Sequence, residues 1–245
     1  MIPTTTKTAV GMVLALEFRG VGDTADFGFL GREGRTVGLT RVDPLVHHIG
    51  GLRSLAEQAE LIAGQLPQPP DLVLSYCGTS AIALHVAAHT DAPSLLVDPY
   101  PITAEDMHRD VRNLCRSMNI DPALLGAPGS APDLARWEAA LLTARDGMAE
   151  VHGGDEEAYE LVDDLLDRYR AWLRFLQASA DSEPVSPVGA VTVVTARDAL
   201  LDPMLTAAET TRVRRVPPPA PGMGLLDSPE VRSLLWAAVH RNKEE

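Results

Sequence analysis

The residue best placed for chemistry in this sequence is Cys77, which stands between an apolar run and a run of small residues. Residues 72–76 predict a strand, and residues 79–88 predict a helix that begins almost directly after it. A nucleophile is exposed on such a sharp strand-to-helix turn when the positions two before and two after it are small. Ser75 and Thr79 meet that requirement, although glycine is the usual residue at both positions.

The position of Cys77 also favours a reactive thiolate. Gly78 follows it directly, which eases backbone strain and offers a main-chain N–H to a developing oxyanion. The partial positive charge at the start of the following helix is expected to lower the thiol pKa. The alternative is that Cys77 is a buried structural thiol. Cys115 lies in a helical pattern without catalytic context and is interpreted as structural.

Strand-like runs alternate with helix-like runs along the chain, which predicts an α/β fold with a mainly parallel sheet and helices on both faces. The predicted strands are residues 10–18, 36–41, 72–76, 94–97, 190–195 and 213–216. The predicted helices are residues 54–66, 79–88, 156–177 and 229–240. Asp155 is a predicted N-cap. No convincing strand falls in residues 103–177. We therefore expect one domain over residues 1–245, with a helical lid inserted at about 103–180.

Composition excludes several classes of function. The net charge of −13 argues against nucleic acid, whose binding depends on neutralising phosphates. Apolar runs are too short to cross a membrane, and the N-terminal residues do not have the pattern of a signal peptide. Two cysteines make neither a disulfide scaffold nor a zinc-binding spacing, so we expect a reduced, cytoplasmic protein with no metal and no cofactor.

Residues 50–88 and 93–101 resemble the α/β-hydrolase thioesterases of polyketide and nonribosomal-peptide assembly lines. The resemblance is detailed over residues 72–101, where SYCGT stands in place of the motif G-x-S-x-G or its variant G-Y-C-x-G. It implies an α/β-hydrolase fold and processing of an acyl chain carried as a thioester. The partners that it implies are an acyl or peptidyl carrier protein and a small-molecule acyl thioester.

The same resemblance implies the other site residues. Asp98, in the sequence VDPYP at the end of a strand, is the favoured catalytic acid, and Asp198, after the next strand, is the alternative. The family builds its oxyanion hole from the residue after the nucleophile and from the loop after the first strand. The residues at those positions are Gly78, Arg19 and Gly20. The residues expected to contact the substrate are Tyr76, Tyr100 and Met223.

The sequence departs from the family at the catalytic base. Gly222 stands where the resemblance places a histidine, and no histidine occurs between His152 and His240. We interpret His47 and His48 as exposed loop residues. The remaining histidines are assigned to the helix after Cys77 (His85 and His89), to the lid (His108 and His152) and to the surface of the last helix (His240).

Without a base, Cys77 still accepts an acyl group, because some thiolate exists at neutral pH. Hydrolysis of the acyl-enzyme would be slow, which favours transfer to an amine or a thiol. The sequence fits equally a protein that has lost catalysis and retains binding, and a cyclisation without a covalent step stays open. Docking of an acidic carrier requires a basic patch, for which the candidates are Arg168, Arg170 and Arg174, or Arg212, Arg214 and Arg215.

Overall fold

The computed structural model describes residues 11–18, 26–32, 38–48, 51–118, 120–121, 133–198, 201, 204–206 and 211–241. Within them lie six strands: β1 (Met12–Leu16), β2 (Gly38–Val42), β3 (Leu72–Tyr76), β4 (Ser94–Val97), β5 (Val191–Thr195) and β6 (Thr211–Arg215). The helices are α1 (Phe29–Arg32), α2 (Leu55–Gln65), α3 (Ser80–Thr90), α4 (Ala104–Ser117), α5 (Leu134–Val151), α6 (Glu156–Ala180) and α7 (Pro229–Arg241).

The strands form one sheet in the order β2-β1-β3-β4-β5-β6, and every neighbouring pair is parallel. This arrangement confirms the predicted parallel sheet. All residues of β1 and β4 are buried, as expected for strands covered on both faces. Because the strands are parallel, their carboxyl ends share one edge of the sheet, where α/β proteins commonly bind ligands.

Most predicted elements are confirmed with small shifts at their ends. The strands over 72–76 and 94–97 agree with the prediction residue for residue, and residues 103–177 contain helices in their described part. The predicted helix at 156–177 extends to Ala180. Asp155 caps it as predicted, since its carboxylate accepts the main-chain N–H of Ala158 at 2.9 Å.

The chain divides into two compact units, each with its own apolar core. The first unit comprises Met1–Asp43, Ala59–Tyr100 and Pro184–Glu245, and its core is built from the strands and α7. The second comprises Pro44–Gln58 and Pro101–Glu183, with a core of α4, α5 and α6 side chains around the fully buried Trp137. The single-domain organisation with a lid stays a prediction.

The interpretation of His47 and His48 as exposed loop residues is wrong. Both lie in a 3-10 turn, Pro44–His48, and their exposed fractions are 8% and 0%. The His48 ring packs edge-on against Phe175 at 6.0 Å between centroids, and its carbonyl accepts a hydrogen bond from Arg174. Packing against α6 therefore buries two imidazoles that the sequence alone places in a loop. Among the described helices, none is long and apolar enough to cross a membrane.

Candidate active site

Cys77 lies at the junction between β3 and α3, in a short 3-10 turn. Its φ is 53°, in the left-handed region that residues other than glycine rarely adopt. Such backbone strain persists only where surrounding contacts fix it, and it concentrates at functional sites. The sequence-predicted elbow is therefore present, with the cysteine at its tip.

Hydroxyl groups fix the turn where glycines are usual. The Ser80 hydroxyl donates to the Cys77 carbonyl at 2.8 Å, and the buried Ser75 hydroxyl lies 3.3 Å from the Ser80 hydroxyl. The Thr79 hydroxyl is fully buried and donates to the carbonyl of Leu16, at the end of β1, at 2.9 Å. Ser75 and Thr79 are thus small enough for this turn, and the Thr79 hydroxyl adds a hydrogen bond that connects the elbow to β1.

The Cys77 thiol is partly buried, and four influences set its acidity. Burial is the largest of them and raises the thiol pKa; a hydrogen bond from the Gly78 N–H lowers it. The charge of Asp98 raises the thiol pKa, and the charge of Arg197 lowers it. The net direction is upward, so the expectation of a thiol acidified by the helix start is wrong: desolvation outweighs the main-chain donor.

Asp98 follows β4 directly and also has a positive φ, of 47°. Its N–H donates to the Val194 carbonyl at 2.7 Å. Its carboxylate accepts two parallel hydrogen bonds from Arg197, each 2.9 Å long, and lies 3.3 Å from the Thr195 hydroxyl. Asp98 is thus close enough to Cys77 to raise the thiol pKa, but its carboxylate is paired with Arg197.

Asp198, the alternative acid, lies after β5 with its side chain 84% exposed, paired with Arg215. It is not among the groups that shift the Cys77 pKa. The geometry therefore favours Asp98 over Asp198, and the catalytic role of either carboxylate stays a prediction.

Sequence reasoning missed two residues at this edge of the sheet. Arg197 follows β5, and it lies beside Asp98 because β4 and β5 are neighbours in the sheet, an adjacency that no local signal in the sequence shows. Glu17, at the end of β1, is 6% exposed and pairs with Arg41 while accepting the Phe27 N–H at 2.9 Å. Each of these carboxylates is thus neutralised by an arginine.

The predicted substrate-contacting residues divide into two groups. Tyr76 is partly buried; burial, followed by the charges of Cys77 and Asp98, raises its pKa. The Tyr100 N–H donates to the Cys77 carbonyl at 3.4 Å, and its ring lies 5.7 Å from the Arg197 guanidinium. Met223 is 42% exposed, and no contact with Cys77 is found for it among the described residues.

Two predicted oxyanion residues, Arg19 and Gly20, lie outside the described residues. Gly78 remains, and its N–H is among the groups that lower the Cys77 pKa. Gly222, where the resemblance places a histidine, has φ 81° and open space around its Cα. A residue with a side chain would be strained at that position.

No histidine of the first unit is found to act on Cys77. His85 lies on α3, and burial lowers its pKa; His240 stacks on Trp236 along α7 at 5.5 Å. Neither of them, nor His89, is among the groups that shift the Cys77 pKa. Among the residues that the structure describes, no cluster of three His, Cys, Asp or Glu side chains is arranged to hold a metal ion.

Comparison with solved structures identifies the fold. The NocB thioesterase domain, solved in covalent complex with a fluorophosphonate nocardicin G analog, is 20% identical with a TM-score of 0.52, covering 96% of this chain and 95% of that chain. The RedJ thioesterase of the prodiginine pathway of Streptomyces coelicolor is 16% identical with a TM-score of 0.46, covering 96% and 91%. Neither a known family profile nor a curated protein matches the sequence. The likeness to the NocB thioesterase domain shows that this chain has the α/β-hydrolase fold, as its sequence predicts.

Proposed function

We propose that this protein is an acyl-thioester-processing enzyme of secondary-metabolite biosynthesis, in which Cys77 accepts the acyl group. The observation that carries this proposal is the strained cysteine at the strand-to-helix turn, where the Gly78 N–H follows it directly. The same donor is placed to stabilise the oxyanion of a tetrahedral intermediate. The fold shared with the NocB thioesterase domain agrees with this role.

The proposed reaction has two steps. The Cys77 thiolate attacks the thioester carbonyl, the carbon–sulfur bond to the carrier breaks, and the carrier thiolate leaves and takes up a proton. An amine or thiol acceptor then attacks the acyl-Cys77 carbonyl. The acceptor loses its proton, and the Cys77 thiolate is regenerated.

Transfer is favoured over hydrolysis because no base acting on Cys77 is found among the described residues of the first unit. Attack by water requires a group that removes its proton. Among the described residues, the carboxylates at the carboxyl ends of β1, β4 and β5 are paired with arginines: Glu17 with Arg41, Asp98 with Arg197, and Asp198 with Arg215. An amine or thiol is a stronger nucleophile than water and depends less on such a group.

The proposed partner is an acyl or peptidyl carrier protein with an acidic surface. Of the two candidate basic patches, the arginines of α6 are the poorer, because Arg170 pairs with Asp167 and Arg174 with the mostly buried Glu138. Arg212 and Arg214 are exposed on β6, the last strand of the sheet. This strand is the more suitable docking surface in a chain whose net charge is −13.

Mass spectrometry of the protein after incubation with a small acyl thioester tests the covalent step. We expect an adduct of the acyl mass on Cys77, absent in Cys77→Ala, and its loss on adding a primary amine faster than in water alone. Cys115→Ala is the matched control, since that thiol is buried in α4, and it should form the adduct normally. Equal turnover by Cys77→Ala and the parent would refute the mechanism.

A second function, as a catalytically degenerate binding or scaffold protein, is favoured by the raised thiol pKa and the absence of a histidine acting on Cys77 from the first unit. In that case acyl-carrier binding would be measurable, without an adduct. Either role suits a reducing cytoplasm, since Cys77 and Cys115 are both free thiols.

A further inference from the structure

We propose that Arg197 is the positioning residue of this site: it takes up the charge of Asp98 in place of a base and holds a guanidinium beside the Cys77 sulfur. The inference deepens the proposed function, since it concerns the sulfur that would accept the acyl group. It assigns Asp98 a role different from that of an acid in a histidine-containing triad.

The geometry fixes Arg197 from three directions. Its Nε and Nη2 each donate to a different oxygen of Asp98 at 2.9 Å, the planar fork that binds carboxylates most strongly. Its N–H donates to the buried Thr195 hydroxyl at 3.1 Å. Its guanidinium carbon lies 5.7 Å from the centre of the Tyr100 ring, within cation–π range.

The pairing changes what Asp98 is able to do. A triad carboxylate orients a histidine and stabilises its positive charge during the reaction. Here that negative charge is already compensated by a guanidinium, which stays protonated at any physiological pH. Asp98 therefore anchors Arg197 and does not assist a base.

The pair is also close to Cys77, since Tyr100, whose ring lies against the Arg197 guanidinium, donates its N–H to the Cys77 carbonyl at 3.4 Å. Asp98 disfavours the thiolate and Arg197 favours it, so their effects on the thiol pKa oppose each other. Without Arg197, the thiolate would lie beside an uncompensated carboxylate in a partly desolvated site. The role of Arg197 is thus to keep Cys77 ionisable despite a neighbouring acid.

The test is the pH dependence of Cys77 alkylation by iodoacetamide, followed by mass spectrometry in a Cys115→Ser background. We expect Arg197→Gln to move the profile to higher pH and to slow alkylation at neutral pH by about threefold or more, as half a pH unit changes the thiolate fraction by that factor. Asp98→Asn should move it to lower pH, and asparagine tolerates the positive φ at this position. The double variant should return close to the parent.

Arg145 supplies a matched control. It binds both oxygens of Asp163 and lies 4.9 Å from the Tyr159 ring, the same arrangement in the second unit. Arg145→Gln should leave the alkylation profile unchanged. Arg197→Lys, which keeps the charge but loses the fork, should lie between the parent and Arg197→Gln, and it serves if the glutamine variant does not fold.

Shifts in the same direction for Arg197→Gln and Asp98→Asn, or no shift in either, would overturn the proposal. The alkylation test does not depend on the acyl-transfer function. If the expected shifts occur but no acyl adduct forms on Cys77, the proposed function fails and the role of Arg197 stands. If the adduct forms equally fast in the parent and Arg197→Gln, the proposed function stands and the role of Arg197 fails.

Discussion

At the scale of single residues, ion pairs with arginine stabilise the carboxylates at the carboxyl edge of the sheet. Glu17 shows the principle most clearly, because its side chain is only 6% exposed and it still has a charged partner in Arg41. Arg41 in turn donates to Asp26 at 2.8 Å. A buried carboxylate is tolerated when such a partner and a main-chain donor share its charge.

Removing the partner of Glu17 should therefore be costly. We expect Arg41→Met to lower the free energy of unfolding by about 3–5 kcal/mol, because it leaves a buried carboxylate without its counter-ion. Urea denaturation followed by circular dichroism measures the change. Arg215→Met is the matched control: it breaks a pair whose two side chains are 70% and 84% exposed, and its cost should stay below about 1 kcal/mol. Equal losses in the two variants would contradict this account.

At the scale of elements, the elbow depends on how the end of β3 is joined to α3. The turn places Cys77 at a positive φ, and the Thr79 hydroxyl connects it to β1 by accepting the Tyr76 N–H at 3.3 Å and donating to the Leu16 carbonyl at 2.9 Å. A glycine at position 79 would supply neither bond. The elbow of this chain is thus stabilised by side-chain hydrogen bonds.

Replacing that hydroxyl tests the element directly. Thr79→Val keeps the shape but leaves the buried Leu16 carbonyl without this donor, so we expect a loss of about 1–3 kcal/mol of unfolding free energy and slower alkylation of Cys77. Thr143→Val is the control, since the Thr143 hydroxyl donates to its own helix on an exposed face of α5. Its effect should stay within about 0.5 kcal/mol. An unchanged stability and an unchanged alkylation rate in Thr79→Val would show that the hydroxyl does not hold the turn.

Much of the sheet is predictable from sequence because apolar runs bounded by turns are local signals. The strands at 72–76 and 94–97 and the elbow cysteine follow from such runs. The Asp98–Arg197 pair does not, since it depends on β4 and β5 being neighbours across 99 positions of sequence. The thiol pKa was mispredicted for the same reason: burial is a property of the folded chain.

At the scale of the whole molecule, the two units contribute to stability through separate cores. In the second unit, His48 ends the 3-10 turn Pro44–His48 and packs against Phe175 of α6 with none of its surface exposed. Burial is the main cause that lowers its pKa from 6.5 to about 4, and the positive charges of His47, Arg174 and Arg53 act in the same direction. The nearby Gln58 side chain acts in the opposite direction, but its effect on the pKa is outweighed.

The low pKa of His48 predicts how stability depends on pH. Above pH 6.5 the imidazole is neutral in both the folded and the unfolded chain; between 6.5 and about 4 only the unfolded chain binds the proton, so stability falls as the pH falls. The loss reaches roughly 3 kcal/mol at the lower limit, from the difference between the two pKa values. His48→Gln, which is neutral throughout, should lack this component, so that its stability relative to the parent improves steadily from pH 7 to pH 4.

Urea denaturation at each pH measures the difference, and the stability of His152→Gln, at the exposed end of α5, should run parallel to that of the parent. A His48→Gln curve that also runs parallel to the parent would show that the buried imidazole takes up its proton in the folded chain as readily as in the unfolded one.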